Sequence, residues 1–411
     1  MAWCWRKPRW RECCRGCPKQ SEASFSPARG QPWSRCGKHL KHNMGDRSFS
    51  LLGVDSGTTH CKAGLFVERA GALKLARTSS YPTQARRAPE GHYYYDPNEL
   101  WETAAAAIGE VAQAAGKDAI AAIGIASMAE TGLLVDRATS QPRSAFVPWF
   151  DTSSTPQVKR ISQNGDPALI EQRFYKSGLY PSFKCSLAKI LWLQDIDQTI
   201  THESTWLSAV DYIAYCLTGC LTSQVRTDYS LAGRTYAFDL NAKDWDGDWL
   251  GQFGLEPGLF PPARPAGETT GHVVDHLDIP GLPAGVPVSV AGHDHVCAAF
   301  ALGVSKPGLV FDSMGTAESL VGALPEKPLG QKEFASGLSY GHHVIPDTYY
   351  WMGGLSTSGG SIEWLRGLLG EPPLSYDEID ALGEATGDGP SGILYFPYLA
   401  GSGSPHTDPL R

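Results

Sequence analysis

LLGVDSGTTHCK, residues Leu51–Lys62, runs from an apolar stretch into an aspartate and a Gly-Thr-Thr turn, with a lysine three residues beyond. The flanks read as strands: FSLLGVDSG enters the turn, HCKAGLFVE leaves it, and ALKLARTSSY follows. Asp55 to Thr59 is therefore expected to be a tight turn between two antiparallel strands. Gly57 lets the backbone bend sharply, and consecutive amides in such a bend form a nest for an anion. Thr58 and Thr59 add hydroxyl donors, Lys62 can neutralise a phosphate oxygen, and Asp55 can hold Mg²⁺ or its waters. These parts suit the β- and γ-phosphates of a nucleotide. Read alone, they equally suit an ordinary hairpin with a buried aspartate. Neither G-x-x-x-x-G-K-[ST] nor G-x-G-x-x-G after a strand occurs in the chain, so any nucleotide is held by another arrangement.

Working outward, GLVFDSMGTAES is again a strand that meets a Gly-Thr turn, at Gly315 and Thr316. The two turns lie far apart, as if two similar halves each supplied one wall of a cleft. VSVAGHDHVCAAFALG adds Asp294 after a strand that ends at Gly292, ahead of a helix that Asp294 or His295 would cap. A carboxylate is stabilised at a helix N-terminus. It is there either as a plain cap or as the general base that takes a proton from an attacking hydroxyl. DPNELWETAAAAIGEVAQAAGKDA reads as a helix capped by Asp96 with Pro97 in its first turn. IAAIGIASM is a buried strand, SLAKILWLQDI and WLSAVDYIAYCLTG are helices, and the second stops at Gly219. GGSIEWLRGLLG reads as a helix and GILYFPYLAG as a strand and loop. The mixture predicts an α/β protein with sheets covered by helices.

Bulk properties narrow the function classes. At 411 residues the chain has room for two or three domains, and 42% hydrophobic with 19% charged residues is ordinary globular composition. No apolar run is long enough to cross a bilayer, so no membrane partner is expected. Residues 1–47 carry 11 Lys+Arg against 3 Asp+Glu, which leaves the remainder at −16. An acidic body argues against nucleic acid, which needs a basic surface. Residues 1–47 have no helical or strand period and are expected to be a disordered extension, with Met44 a candidate start. An Arg-rich transit peptide and a zinc ribbon on Cys14, Cys17, Cys36 and His39 are the other readings. The five later cysteines suit reduced, buried thiols and a cytoplasmic location.

Taken together, these blocks resemble the FGGY family of carbohydrate kinases. GVDSGTTHCK is similar to the family's phosphate-binding opening, YYYDPNELWE to its D-P-x-x-x-W helix start, IGIASMAETGLLVD to its sugar-contacting segment, and VPWFDT to its W-x-D strand end. LAKILWL, DYIAYCLTG, TDYSLAGRTYAFDL, GLPAGVPVSVAGHDH, DSMGTAES and GILYFPYLAGSGSP follow in family order, from Leu51 to Arg411. The resemblance implies two ribonuclease-H-like (actin-like ATPase) domains around a central cleft. The expected division is a sugar-binding domain at 48–296 and a nucleotide-binding domain at 297–411, the second incomplete because the family runs on past this length. It implies ATP and Mg²⁺ as cofactors and a small carbohydrate as substrate, with a homodimer as a possible assembly.

Residue by residue, Asp294 matches the catalytic base and Asp55 the Mg²⁺-associated aspartate, acting through water. Gly57, Thr58, Thr59 and Lys62 match the first phosphate loop, and Gly315 with Thr316 the second. Glu130 resembles the polyol-binding glutamate of the glycerol kinase branch, and Trp149, Asp151 and His295 are the other substrate candidates. Trp149 is expected to stack on a sugar or to be a core tryptophan. The chain departs from the family pattern at Ser153, where W-x-D-x-R has its arginine, at Met128 and Ala129 before Glu130, and at PYLAGSGS. The expected activity is ATP-dependent phosphorylation of a sugar or polyol hydroxyl, of the pentulose, gluconate or related class. A non-catalytic sugar-binding homologue is the alternative. GLSYG, Gly337–Gly341, fits the hydrolase pattern G-x-S-x-G and would need a strand before it and a helix after it.

Overall fold

The computed structural model describes residues 49–69, 72–116, 119–385, 392–399 and 401–406. The readings placed on residues 1–47 lie outside the described residues.

β1 (Phe49–Ser56) and β2 (His60–Arg69) form the expected hairpin, with Asp55 opposite Lys62 and Ser56 opposite Cys61. Gly57 N–H donates to His60 O at 3.0 Å and closes the turn. β3 (Ala72–Pro82) extends the antiparallel meander. α1 (Pro97–Gln113) begins as its sequence dictates: Asp96 Oδ1 accepts from the amides of Asn98 at 2.8 Å and Glu99 at 3.2 Å, and Pro97 occupies the first turn. Its buried stripe of Leu100, Ala104, Ala107, Ile108 and Val111 packs in one cluster with Leu52 and Val54 of β1. β4 (Ala119–Ser127) then pairs parallel to β1.

α2 (Ser186–Ile196) forms as expected. WLSAVDYIAYCLTG splits instead. Trp206–Ser208 belong to a strand paired to Gly132–Asp136, and the helix α3 (Ala209–Leu217) starts only where Ser208 caps it in a reciprocal capping box with Asp211. Gly219, at φ +94°, stands just past its end as predicted. β5 (Thr269–His272) pairs antiparallel to β6 (Pro287–His293), and β6 runs parallel to β4. The first sheet thus has the order β5-β6-β4-β1-β2-β3, an antiparallel meander joined to two parallel strands. This is the ribonuclease-H-like arrangement.

α4 (Asp294–Ala301) leaves the end of β6. The expected division at 296/297 falls inside this helix. β7 (Val310–Met314) and β8 (Glu318–Pro325) make the second Gly-Thr hairpin, and β9 (Ser339–His342) and β10 (Thr348–Leu355) complete a sheet of order β7-β8-β10-β9. Its strands are all antiparallel. Each Gly-Thr turn therefore joins the first two of three neighbouring antiparallel strands, β1-β2-β3 in one sheet and β7-β8-β10 in the other, with β9 inserted in the chain between β8 and β10. α5 (Gly359–Leu369) follows the second meander.

Two further expectations fail on geometry. Ile393–Pro397 forms no ladder, and Ile393 is 81% exposed, so GILYFPYLAG has no neighbouring strand to make it one. Ser339 opens β9, after the helix Gln331–Ala335 and before a hairpin, so GLSYG is not a strand-turn-helix elbow. Among the described residues the cysteines at 61, 185, 216, 220 and 297 form no disulfide and the first four are buried, as expected. Among the described residues no helix is long and apolar enough to cross a membrane.

Candidate active site

Three parallel strands end side by side. Ser56 of β1 lies opposite Ser127 of β4, and Ser127 lies opposite His293 of β6. With strands about 4.8 Å apart, Asp55 and Asp294 stand roughly 10 Å apart along the backbone, on the carboxyl edge where open α/β sheets take their ligands. A bulge between Val290 and Gly292 re-aims the last residues of β6. Gly292 sits at φ +125°, and a Cβ there would come within 2.7 Å of Ser230 Oγ and 3.1 Å of Asp228 Oδ2. His293 N–H in turn donates to Ser230 Oγ at 2.9 Å. Gly292→Ala is expected to cost about 1–3 kcal/mol in stability through its backbone. It should also displace Asp294; a denaturant melt alongside steady-state kinetics checks both effects.

Asp294 is the first residue of α4 and not its cap. The cap position belongs to His293, whose side chain bonds none of the helix amides. Asp294 Oδ1 accepts from His295 N–H at 2.7 Å and lies 3.2 Å from His293 Nε2. Burial, with the neighbouring His295 and Arg234 charges, holds His293 well below the usual histidine range, so it is a neutral donor and not a counter-charge. The His295 N–H bond offsets only part of the burial of the Asp294 carboxyl, which is pushed up to about 7, with the Asp55 charge adding to the effect. Asp55 is raised too, by burial, with Lys62 pulling the other way. A base of this kind is ionised above its pKa and protonated below it. Phosphoryl transfer is accordingly expected to fall about tenfold per pH unit below 7 and to level off above it; a kcat/KM profile from pH 5.5 to 8.5 checks this.

Three residues past the end of β4 stands Glu130, at φ +58°. Its Oε1 accepts from Arg234 Nε at 2.8 Å and from Nη2, and both side chains are largely buried. Arg234 Nη1 is buried with no partner. Lys184 Nζ lies 5.4 Å from the Trp149 ring centroid, and Glu130 and Arg234 are its charged neighbours. Lys189 is fully buried, and its Nζ donates to Phe183 O at 3.0 Å and Lys184 O at 2.5 Å. Burial lowers its pKa to about 8. His295 is lowered by burial as well, between the opposing charges of Glu130 and Arg234. Arg234, Lys184 and Lys189 were missed in the sequence. Arg234 was visible only as the single charge inside SLAGRTYAF, and the lysines only as polar interruptions in SFKCSLAKILWL.

The remaining candidates divide. Trp149 Nε1–H donates to Thr58 Oγ1 at 2.9 Å, which links the Glu130 side to the first Gly-Thr turn. Thr58 Oγ1 also points at Met128 Sδ, 3.8 Å away, so this hydroxyl is already engaged. Thr59 is exposed and Lys62 points outward. Asp151 is 2% exposed, and its two oxygens accept from Tyr93 N–H at 2.6 Å and Ser153 N–H at 3.0 Å. That pattern makes it a clamp on its own loop. Gly315 and Thr316 are exposed at the β7–β8 turn. Their carbonyls accept from Gly359 N–H at 2.9 Å and from Ser358 N–H at 2.9 Å, so the turn is fastened to the start of α5.

The residues fit a cation at Asp55, because its Oδ1 is buried with no partner and its charge is only partly met by Lys62. They fit a nucleotide phosphate at the Gly57 turn, where Lys62 is exposed and the exposed Thr59 Oγ1 shares a 3.2 Å hydrogen bond with His60 Nδ1.

The model of the FGGY family of carbohydrate kinases, N-terminal domain, matches residues 50–301. A glycerol kinase of Gloeobacter violaceus is 30% identical over 368 residues, spanning 88% of this chain and 70% of that protein. A xylulose kinase of Bacillus subtilis is 25% identical over 362 residues, 87% of this chain and 69% of that one. The crystal structure of xylulose kinase from Rhodospirillum rubrum superposes with a TM-score of 0.75 at 24% identity, covering 87% of this chain and 72% of that one. The two Gly-Thr hairpins, the carboxylates Asp55 and Asp294 at the ends of β1 and β6 and these matches agree, and the chain belongs to the FGGY family of carbohydrate kinases.

Proposed function

We propose that the protein transfers the γ-phosphoryl group of ATP to a hydroxyl of a sugar or polyol bound in the cleft between a domain at 48–296 and a domain at 297–411. The observation that carries this reading is Asp294: a carboxyl raised to about 7, at a strand end, beside a second buried carboxylate with an unpartnered oxygen. Asp294 takes the proton of the attacking hydroxyl, and its raised pKa matches it to that task near neutral pH. His293, neutral, places Nε2 3.2 Å from Asp294 Oδ1 and fixes the direction of the receiving oxygen. Glu130 and His295 hold the other hydroxyls of the acceptor, and Arg234 fixes Glu130 in place. The Trp149–Thr58 hydrogen bond sets the distance between the acceptor subsite and the first phosphate turn.

Asp55 would hold Mg²⁺ or its waters, and Gly57, Thr59 and Lys62, with Gly315 and Thr316 from the second sheet, would hold phosphate oxygens. When bound, MgATP supplies the phosphoryl group and neutralises part of its charge. Asp151 acts by shaping the loop that carries Trp149. Glycerol kinase and xylulose kinase relatives favour the phosphorylation of a polyhydroxy alcohol. The test is ADP formation by the full chain with MgATP and a panel of ketoses, polyols and aldonates. Alcohol-dependent ADP supports the proposal, whereas carbohydrate binding with no ADP from any member points to the non-catalytic alternative.

A further inference from the structure

Resting on the phosphoryl-transfer reading, we infer that Tyr350 is a positioning residue for the acceptor: from the second sheet its hydroxyl takes Nη1 of Arg234 and, through Arg234, fixes Glu130. The inference comes from two buried polar groups that the rest of the site leaves over. Arg234 gives Nε and Nη2 to Glu130 Oε1, and among the described residues its Nη1 has no other hydrogen bond. Tyr350 is fully buried, and its phenol oxygen has none either. The two groups lie against one another. Of the charges around that phenol, Arg234 acts most strongly, and it does so as a hydrogen-bond donor. After Glu130, Tyr350 is the strongest polar influence on the guanidinium.

The phenol reaches this place from the other half of the molecule. Tyr350 lies on β10, opposite Gly341 of β9, and a Cβ at 341 would come within 2.7 Å of the phenol oxygen. Glycine there leaves the ring room to lie across β9. The same ring packs in one buried cluster with Val296 and Ala299 of α4, and it stands 6.5 Å from the His293 ring, tilted by 65°. One side chain of the second sheet thus meets both arms of the site. Its hydroxyl meets the Glu130 arm through Arg234, and its ring meets the Asp294 arm through His293 and α4. A buried guanidinium N–H and a buried phenol oxygen are costly apart and satisfied together, and the charge on the donor makes the bond a strong one. Because hydroxyl and ring serve different arms, substitution separates their contributions.

The first test needs no ligand. Urea denaturation of the full chain as Tyr350→Phe, Glu130→Gln and the double variant forms a cycle. Among the described residues no hydrogen bond joins Glu130 to Tyr350, so Arg234 carries any coupling between them. The double variant is expected to have a folding equilibrium constant about threefold or more above the additive value, because the hydroxyl matters less once Glu130 has lost its charge. Additive losses would overturn the inference. The second test is kinetic, on the members of the carbohydrate panel that the wild type phosphorylates. Tyr350→Phe is expected to raise the acceptor KM about 5–20-fold, to leave the MgATP KM within about twofold, and to lower kcat by no more than about threefold. Tyr350→Leu, which removes the ring as well, is expected to lower kcat about tenfold further through His293 and Asp294. A tyrosine that merely filled the second sheet would disturb the MgATP KM and the acceptor KM alike. An unchanged acceptor KM in a folded Tyr350→Phe variant, or a MgATP KM that rises in step with it, would overturn the inference. If no alcohol yields ADP, the phosphoryl-transfer reading fails, and the urea cycle still decides whether Tyr350 fixes Glu130.

Discussion

Asp294→Asn is expected to lower kcat by about 10²–10⁴-fold while changing the KM for the carbohydrate by no more than about threefold. The amide keeps the shape of the side chain, and its Oδ1 can still accept from His295 N–H, so α4 should start in the same place. What it loses is the capacity to take a proton. The stability effect runs in the opposite direction. Asp294 has a folded pKa of about 7, above the ordinary carboxylate value, so the folded state binds its proton more tightly than the unfolded chain does. Its contribution to stability is fully present below about pH 4 and is lost as pH rises through 7. Asparagine removes that penalty, so at pH 8 the variant should melt no lower than the parent protein. Steady-state kinetics together with melts at pH 5 and pH 8 check both halves. A variant that is slow because it is unfolded would show a lower Tm, the wrong sign for a catalytic base.

Arg234→Met should be the most destabilising single change in the cleft, at about 3–5 kcal/mol, because it leaves the Glu130 carboxylate buried without its partner. That is a large share of the roughly 5–15 kcal/mol by which domains are stable. The two side chains are only 13% and 9% exposed, so solvent cannot replace the lost donors. Glu130 also sits at φ +58°, a conformation that the ion pair helps to hold. The double variant Glu130→Gln, Arg234→Met should recover part of the loss, since removing both charges costs less than stranding one. Urea denaturation of the two single variants and the double variant closes the cycle. Additive losses would show that the two side chains do not depend on each other.

What the sequence discloses follows the range of the interaction. The Asp55 turn, the Asp96 cap with Pro97, and the strand that delivers Asp294 are all set by residues within a few positions of one another, and each stands where local chemistry places it. Features that depend on distant partners were not legible. The Glu130–Arg234 pair spans 104 positions, and the Trp149–Thr58 bond spans 91. Nothing local marks Arg234 as an ion-pair partner or Lys184 as a neighbour of the Trp149 ring. Asp151 looked like a substrate group because its clamp on Tyr93 N–H reaches back 58 residues. Trp206–Ser208 read as the start of a helix because its apolar pattern is shared by a strand, and only pairing with Gly132–Leu134 decides between them. Ile393–Pro397 shows the reverse, an apolar run with strand composition and no strand to pair with. Asp294 or His295 was expected to cap the helix after β6; His293 takes the cap position and Asp294 is the first helical residue.

The most direct measurement is ³¹P NMR of the full chain with MgATP and the carbohydrate panel, recorded for the wild-type protein and for Asp294→Asn. The account predicts a new phosphomonoester resonance for at least one acceptor with the wild type, growing as the γ-phosphate signal of ATP declines, and its near absence with the variant. Equal phosphomonoester formation by both proteins, or none from any acceptor while the acceptor demonstrably binds, would contradict it.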